Sequence, residues 1–302
     1  LTITQSNVDW TISLGDDTYT YDGATHYIDK TPTSTALTGT TSYSYKFEDD
    51  TDYVSDLSSL TKVDAGTYII KVKATNPNYS KPAEWEAKLI INRRAVEFNA
   101  EIARKEYTGD KLSITGVTIT EGKELPNGHT HNVEYLAEGT EVSATPYKGS
   151  ITAKDNVRIY NGSKVDVTAN FDITVNEGGL EIYKTDDTWS ISLESESIKY
   201  DGSSHALSKV PTSTAKTGTT TYEYSFDENG TYVRDLSSLT KVDAGTYTVY
   251  VKATNPNYEE GATTTATLTI EKRTIKFTGT SESSVYNGQE QNINTVDITG
   301  DG

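Results

Sequence analysis

The stretch Asp64-Ala65-Gly66-Thr67-Tyr68-Ile69-Ile70-Lys71-Val72-Lys73-Ala74-Thr75-Asn76-Pro77-Asn78-Tyr79 decides the fold. It opens on a turn signal, Asp-Ala-Gly, and closes on another, Asn-Pro-Asn. Between them Tyr68, Ile70, Val72 and Ala74 fall on one face of an extended chain, with Lys71 and Lys73 on the other. A period of two residues belongs to a half-buried strand and to no helix. The same stretch returns at Asp243–Tyr258, 179 residues on.

Working outward, the duplication extends in both directions at the same offset. WTISL at Trp10 returns as WSISL at Trp189, Tyr21-Asp22-Gly23 as Tyr200-Asp201-Gly202, PTSTA at Pro32 as PTSTA at Pro211, and DLSSLTKVDAGTY at Asp56 as the same run at Asp235. Residues 1–92 align with 180–271 without a gap, at roughly half identity, which is the signature of a tandem array. A unit of this length suits two sandwich modules better than one solenoid turn. The expected division is residues 1–4 as the last strand of a preceding module of the second type (B), 5–92 as a first module (A), and 93–183 as module B. Residues 184–271 are then a second A, and 272–302 the start of a further B. Phe98 and Phe277, and the Tyr107-Thr108-Gly109 and Tyr286-Asn287-Gly288 turns, keep the register into the B segments.

The strand reading holds along the chain. Trp10, Ile12 and Leu14 alternate with polar residues, as do Tyr43, Tyr45 and Phe47, and Ala87, Leu89 and Ile91. With an apolar fraction of 34% and 21 Tyr against 5 Phe, the chain fills several small sandwiches more readily than one large core. The expected class is all-β: tandem sandwich modules in an elongated array.

Net charge is −17. Such a surface repels phosphate backbones and anionic headgroups, which argues against nucleic acid and peripheral membrane binding. No run is long and apolar enough to predict membrane insertion within this stretch. The absence of Cys excludes a thiolate zinc site, a Cys nucleophile and a thioester, and the absence of an initial Met and of a leader-like segment reads as an excerpt of a longer chain.

Tyr68 and Tyr247, each at the start of a strand after Asp-Ala-Gly, occupy the place of the tyrosine corner of immunoglobulin-like sandwiches, with Ile70 and Val249 where the second Cys would stand. The Tyr-Asp-Gly turn, the DAGTY…VKATNPNY block and the closing Leu-x-Ile strand resemble the MBG/YDG group of bacterial Ig-like repeats. Tyr107-Thr-Gly, Asn127-Gly-His-Thr, Val165–Ile173 and Gly179-Leu-Glu-Ile resemble the partner repeat of such arrays. The resemblance implies extracellular, cell-wall-attached surface proteins of Gram-positive, often gut-dwelling, bacteria. It carries over no catalytic residue and no cofactor.

Several clusters merit weighing for chemistry. His129 and His131 fall on one strand face, with Glu134 or Glu138 as further donors for zinc, against two plain loop histidines. Glu48, Asp49, Asp50 and Asp52 form a carboxylate-rich loop of the kind calcium favours, although the second copy reads as a plain turn, Asp227-Glu228-Asn229-Gly230. Lys71 and Lys88, candidates for a Lys–Asn crosslink, are Tyr250 and Thr267 in the second copy, while Lys73 and Lys252 lie out of phase with the core. Trp85 is in phase with Ala87 and Leu89 and is expected to pack inward, the alternative being an exposed sugar or protein anchor. No Ser-His-Asp order, paired-carboxylate cleft or phosphate loop is present, so the chain reads as no enzyme.

Polar positions Ser58, Ser59, Thr61 and Lys62 return unchanged as Ser237, Ser238, Thr240 and Lys241, which makes them the candidate ligand-binding residues, although recent duplication is the plainer account of the sameness. Two equal surfaces on one stalk would raise affinity by avidity. The functional expectation is a monomeric cell-surface adhesin region that binds a host extracellular protein or glycoprotein, mucin or immunoglobulin. The alternative is a structural spacer that presents a distal domain.

Overall fold

The computed structural model describes residues 2–152, 156–293 and 295–300. The fold is all-β, built from tandem Ig-like sandwiches. Among the described residues the helical elements are three short 3-10 turns, Leu57–Ser59, Thr168–Asn170 and Leu236–Ser238. The chain falls into two compact units. One is Leu1–Ala103 with Ser113–Glu138 and Pro146–Leu180, the other Arg104–Leu112 with Gly139–Thr145 and Glu181–Gly302.

In the first unit, the first copy of the repeat supplies β1 (Ile12–Ser13), β2 (Asp17–Thr20), β3 (Thr33–Ser34), β4 (Ser42–Phe47), β5 (Gly66–Thr75) and β6 (Ala83–Asn92). Four of these form a sheet in the order β2-β6-β5-β4, and β1 pairs with β3 in a second layer. Strand β2 runs parallel to β6, Asp17 beside Leu89 and Thr20 beside Asn92. The alternation seen in the sequence becomes the core: Trp10, Ile12, Leu14, Tyr45, Phe47, Ile70, Val72, Ala74, Ala87 and Leu89 pack in one buried cluster. Residues 2–5 form no strand; the Gln5 amide donates to the Pro77 carbonyl and Ser6 bridges to Tyr79, both in the connection between β5 and β6.

The intervening segment supplies β7 (Arg94–Ala100), β8 (Ile102–Glu106), β9 (Leu112–Ile114), β10 (Val117–Ile119), β11 (Thr130–His131), β12 (Glu134–Gly139), β13 (Ser150–Thr152), β14 (Ile159–Tyr160), β15 (Phe171–Asn176) and β16 (Gly179–Tyr183). Here β7 is flanked by β10, antiparallel, and by β15, parallel. Its Val96 and Phe98 join Val133, Val157, Ile159 and Phe171 in a separate core that also takes in Tyr21 and Ile91.

In the second unit, the second copy repeats the first as β17 (Ile191–Ser192), β18 (Glu196–Lys199), β19 (Thr212–Ser213), β20 (Thr221–Ser225), β21 (Gly245–Thr254) and β22 (Ala262–Glu271). Sheet order, register and core recur with it. A final antiparallel pair, β23 (Ile275–Gly279) and β24 (Val296–Gly300), follows.

The repeated motifs are explained locally. Tyr68 and Tyr247 donate their hydroxyls to the Asp64 and Asp243 carbonyls, each at 2.8 Å, pinning the turn to the strand. In Tyr-Asp-Gly, Asp22 accepts from the Ala24 N–H and from His26 Nε2, and Asp201 does the same with Ser203 and His205. Gly23 and Gly202 sit at φ 80° and 81°, the left-handed region that a Cβ disfavours. In Asn-Pro-Asn, the buried Asn76 amide donates to Thr41 Oγ1 and its oxygen accepts from the Asn78 N–H, as Asn255 does with Thr220 and Asn257.

Candidate functional site

The turn that carries the candidate residues of the first copy lies just before β5. Ser58 and Ser59 are exposed, yet both are held from within. Asp56 caps the 3-10 turn, accepting from the Ser58 N–H at 3.0 Å and its hydroxyl at 2.7 Å, while Ser59 Oγ donates to the Asp56 carbonyl. Lys62 bridges His26 through its backbone, and its ammonium lies 4.4 Å from the Phe47 ring centroid and 5.1 Å from that of Tyr68. Ser237, Ser238 and Lys241 repeat these contacts with Asp235, Phe226 and Tyr247. Thr61 and Thr240 are exposed. Capping and cation–π contact thus account for three of the four repeated identities inside each copy.

A different surface is grooved. On the outer face of the first four-stranded sheet, Lys46, Glu48, Tyr53, Lys71, Glu84 and Glu86 border a groove of about 590 Å³. Lys46 and Lys71 come from the outward positions of β4 and β5, opposite each other in register, and Glu86 of β6 stands across from Lys71. The β4–β5 connection folds back through the Tyr45–Val54 bridge and lays Tyr53, 40% exposed, over this face. Lys71 Nζ binds Glu48 at 3.1 Å and also Glu86, and the hydrogen bonds it donates to Glu86 and Glu48 hold its pKa above the ordinary lysine value. Lys71 is therefore engaged in an outer-face ion cluster, away from the apolar interior a Lys–Asn crosslink requires.

The second copy has a groove of about 310 Å³ at the same place, with different chemistry. Tyr232 stands for Tyr53, but Tyr250 replaces Lys71 and Thr263 and Thr265 replace Glu84 and Glu86. Lys252 Nζ lies 4.0 Å from the centroid of the Tyr232 ring. The two copies thus share a tyrosine on one sheet face, in a charged setting in one and a hydroxyl-rich setting in the other.

Trp85 corrects the inward expectation. It is 44% exposed, and its indole N–H donates to the Leu14 carbonyl at 3.0 Å, so the ring lies across the edge of the sandwich. Val72 stands opposite it and, with Leu14, is already buried, so strand parity alone does not bring the indole inside.

The two histidines diverge. His129 Nε2 meets the Tyr21 hydroxyl at 3.2 Å, whereas His131 packs against Phe98 with the rings tilted by 58° and their centroids 4.7 Å apart, and accepts the Val133 N–H at Nδ1. Burial pushes the His131 pKa below the ordinary histidine value. In the acidic loop, Asp50 accepts from the Phe47 N–H, and Glu48 is taken by Lys71. Among the described residues no three His, Cys, Asp or Glu side chains converge as a metal site, and no helix is long and apolar enough to cross a membrane.

No protein-family profile and no curated protein matches the chain. Three solved structures illustrate what it is similar to. The three N-terminal domains of the bacteriophage RB49 Highly Immunogenic Outer Capsid protein align at 12% identity over 84% of this chain and 96% of theirs, with a TM-score of 0.26. Domains A168–A170 of titin align at 12% over 87% and 97%, with a TM-score of 0.24. The Bacteroides ovatus mixed-linkage glucan utilization locus protein SGBP-B, solved with a mixed-linkage heptasaccharide, aligns at 13% over 91% and 74%, with a TM-score of 0.22. At these TM-scores the likenesses carry no argument about function.

Proposed function

We propose that this chain is a non-catalytic repeat region of a bacterial cell-surface adhesin, of the MBG/YDG kind, that binds a host extracellular glycoprotein through the outer sheet faces of its two A-type copies. The observation that carries the reading is the recurrence of Tyr53 and Tyr232 over the same sheet face, each bordering a groove of ligand size. A tyrosine offers an apolar ring to a sugar or a side chain and a hydroxyl to its polar edge. The charged and hydroxyl groups around it supply orientation. Mucin and immunoglobulin are the host proteins to test first, and attachment to a Gram-positive cell wall belongs to the same proposal.

The test immobilises the full chain and measures retention of mucin, deglycosylated mucin and immunoglobulin beside a Tyr53→Ala/Tyr232→Ala double variant. Retention that falls at least about tenfold in the variant, as expected for loss of aromatic anchors, supports the proposal. Dependence on glycans separates sugar from protein recognition. Retention of no host protein by the intact chain would leave the region as a spacer.

A further inference from the structure

The two A copies agree on their inner sheet faces and part on their outer ones. Along β6 and β22 the inward Ala83, Ala87, Leu89 and Ile91 return as Ala262, Ala266, Leu268 and Ile270, with Trp85 alone changed, to Thr264. The outward residues between them differ throughout. The first copy has Glu84, Glu86, Lys88 and Ile90, the second Thr263, Thr265, Thr267 and Thr269. Threonine suits any exposed strand. Yet the first copy builds the same strand without it, so the pleated surface does not itself require an unbroken threonine row.

The neighbouring strand extends the pattern. On β21 the outward Thr246, Thr248 and Tyr250 stand opposite Thr269, Thr267 and Thr265, in rows about 4.8 Å apart as in any sheet. Thr67, Ile69 and Lys71 hold those places in the first copy. Tyr232 borders the same groove as the half-buried Tyr250, with Thr263 and Thr265 beside them. The Tyr232 hydroxyl donates to the Glu228 carbonyl at 3.1 Å, and Lys252 Nζ lies 4.0 Å from its ring centroid. The ring is therefore placed before any ligand arrives.

This sparsely charged face lies on a chain of net charge −17, and it selects by what it lacks. A charged ligand would give up hydration there without gaining an ion pair, and an anionic one would also meet the field of the chain. A neutral sugar exchanges hydrogen bonds with threonine hydroxyls, each both donor and acceptor, and lays its C–H face on a tyrosine ring. In the first groove the same sugar would have to desolvate the Lys71–Glu86 pair.

We infer, resting on the adhesin reading above, that the β21–β22 face of the second A copy takes an uncharged oligosaccharide of the host glycoprotein. The oligosaccharide lies along the threonine rows with a sugar ring on Tyr250, beside Tyr232. The ion-paired groove of the first copy takes no part in this contact.

The test passes the neutral and the acidic pools of O-glycans released from mucin over the immobilised full chain and measures what each pool loses. Depletion of the neutral pool beyond the acidic one is expected. Tyr250→Ala should cut that retention at least about tenfold through loss of an aromatic anchor. Thr263→Glu/Thr265→Glu should cut it as far, by setting unpaired carboxylates under the sugar. The first copy carries glutamate at both places, so the strand accepts them, and unchanged far-ultraviolet circular dichroism checks the fold. Equal or greater loss from the acidic pool, no loss from the neutral pool, or either variant retaining as the parent does overturns the inference. Retention of intact mucin without the neutral pool sinks this inference and leaves the adhesin reading standing; retention of neither sinks both.

Discussion

Replacement of Asn170 by Ala should uncouple the first repeat copy from the segment that follows it. Asn170 is 4% exposed and makes two bonds into the Asp64-Ala65 turn, one from the Ala65 N–H and one to the Asp64 carboxylate. The backbone bond contributes about 1 kcal/mol. The bond to Asp64 ends on an exposed carboxylate, so solvent screening brings it down to roughly 1 kcal/mol or less. The expected loss is about 2 kcal/mol, or roughly 4 to 8 °C in Tm for a unit of this size. Trp10 and Trp85 lie in the first unit and Trp189 in the second, so urea unfolding by fluorescence in a Trp189→Phe background reports the first unit alone. Asp64→Ala closes a double-mutant cycle, for which about 0.5 to 1 kcal/mol of coupling is expected. Additivity of the two substitutions, or a loss below about 0.5 kcal/mol for Asn170→Ala, would refute the clamp.

Gly23→Ala and Gly202→Ala should each cost about 1 kcal/mol for a side chain at positive φ. Gly23→Ala should cost more, because its Cβ would stand 3.0 Å from His129 Cε1 while nothing lies within 4 Å at Gly202; chemical denaturation of both variants measures the difference. Leu89→Ala and Leu268→Ala, both fully buried, should each destabilise by about 2 to 5 kcal/mol, and each should move only the transition of its own unit. Because burial lowers the His131 pKa, its neutral ring contributes fully above the unfolded value of about 6.5, and stability should decline as pH falls below it. Thermal melts between pH 7 and 5 should show this decline in the parent and less of it in His131→Gln. Asp201 is held below the ordinary carboxylate value by the Ser203 N–H and His205, so its contribution is present above that value and lost as pH falls through the lowered one. Asp201→Asn should therefore flatten the acid limb of the stability curve.

Strands and cores were readable wherever alternation was strict. Tyr68, Ile70, Val72 and Ala74 face one way because a pleated chain leaves them no alternative, and the internal copy confirmed the phase at every step. The parallel pairings β2–β6 and β15–β7 were not readable, since alternation records which face is buried and not which neighbour lies alongside. Trp85 misled for a related reason: parity put it inward, but the place it pointed to was already filled by Leu14 and Val72. The unchanged Ser58, Ser59 and Lys62 drew attention as surface residues, yet their bonds to Asp56 and the rings of Phe47 and Tyr68 are short-range features that a one-letter string does not display. The outer grooves were missed because no spacing rule links Tyr53 to Lys71 and Glu86. The signal that would have found them is the contrast between an unchanged tyrosine and the changed residues around it.

The parallel partnership of β2 with β6, repeated by β18 with β22, has a mechanical consequence. Traction that draws the start of such a module one way and its end the other slides these two strands along each other, so the hydrogen bonds between them share the load and must yield together. An antiparallel closing pair pulled from its open end would instead give way one rung at a time. A module closed in this manner resists stretching with a short ladder of parallel hydrogen bonds.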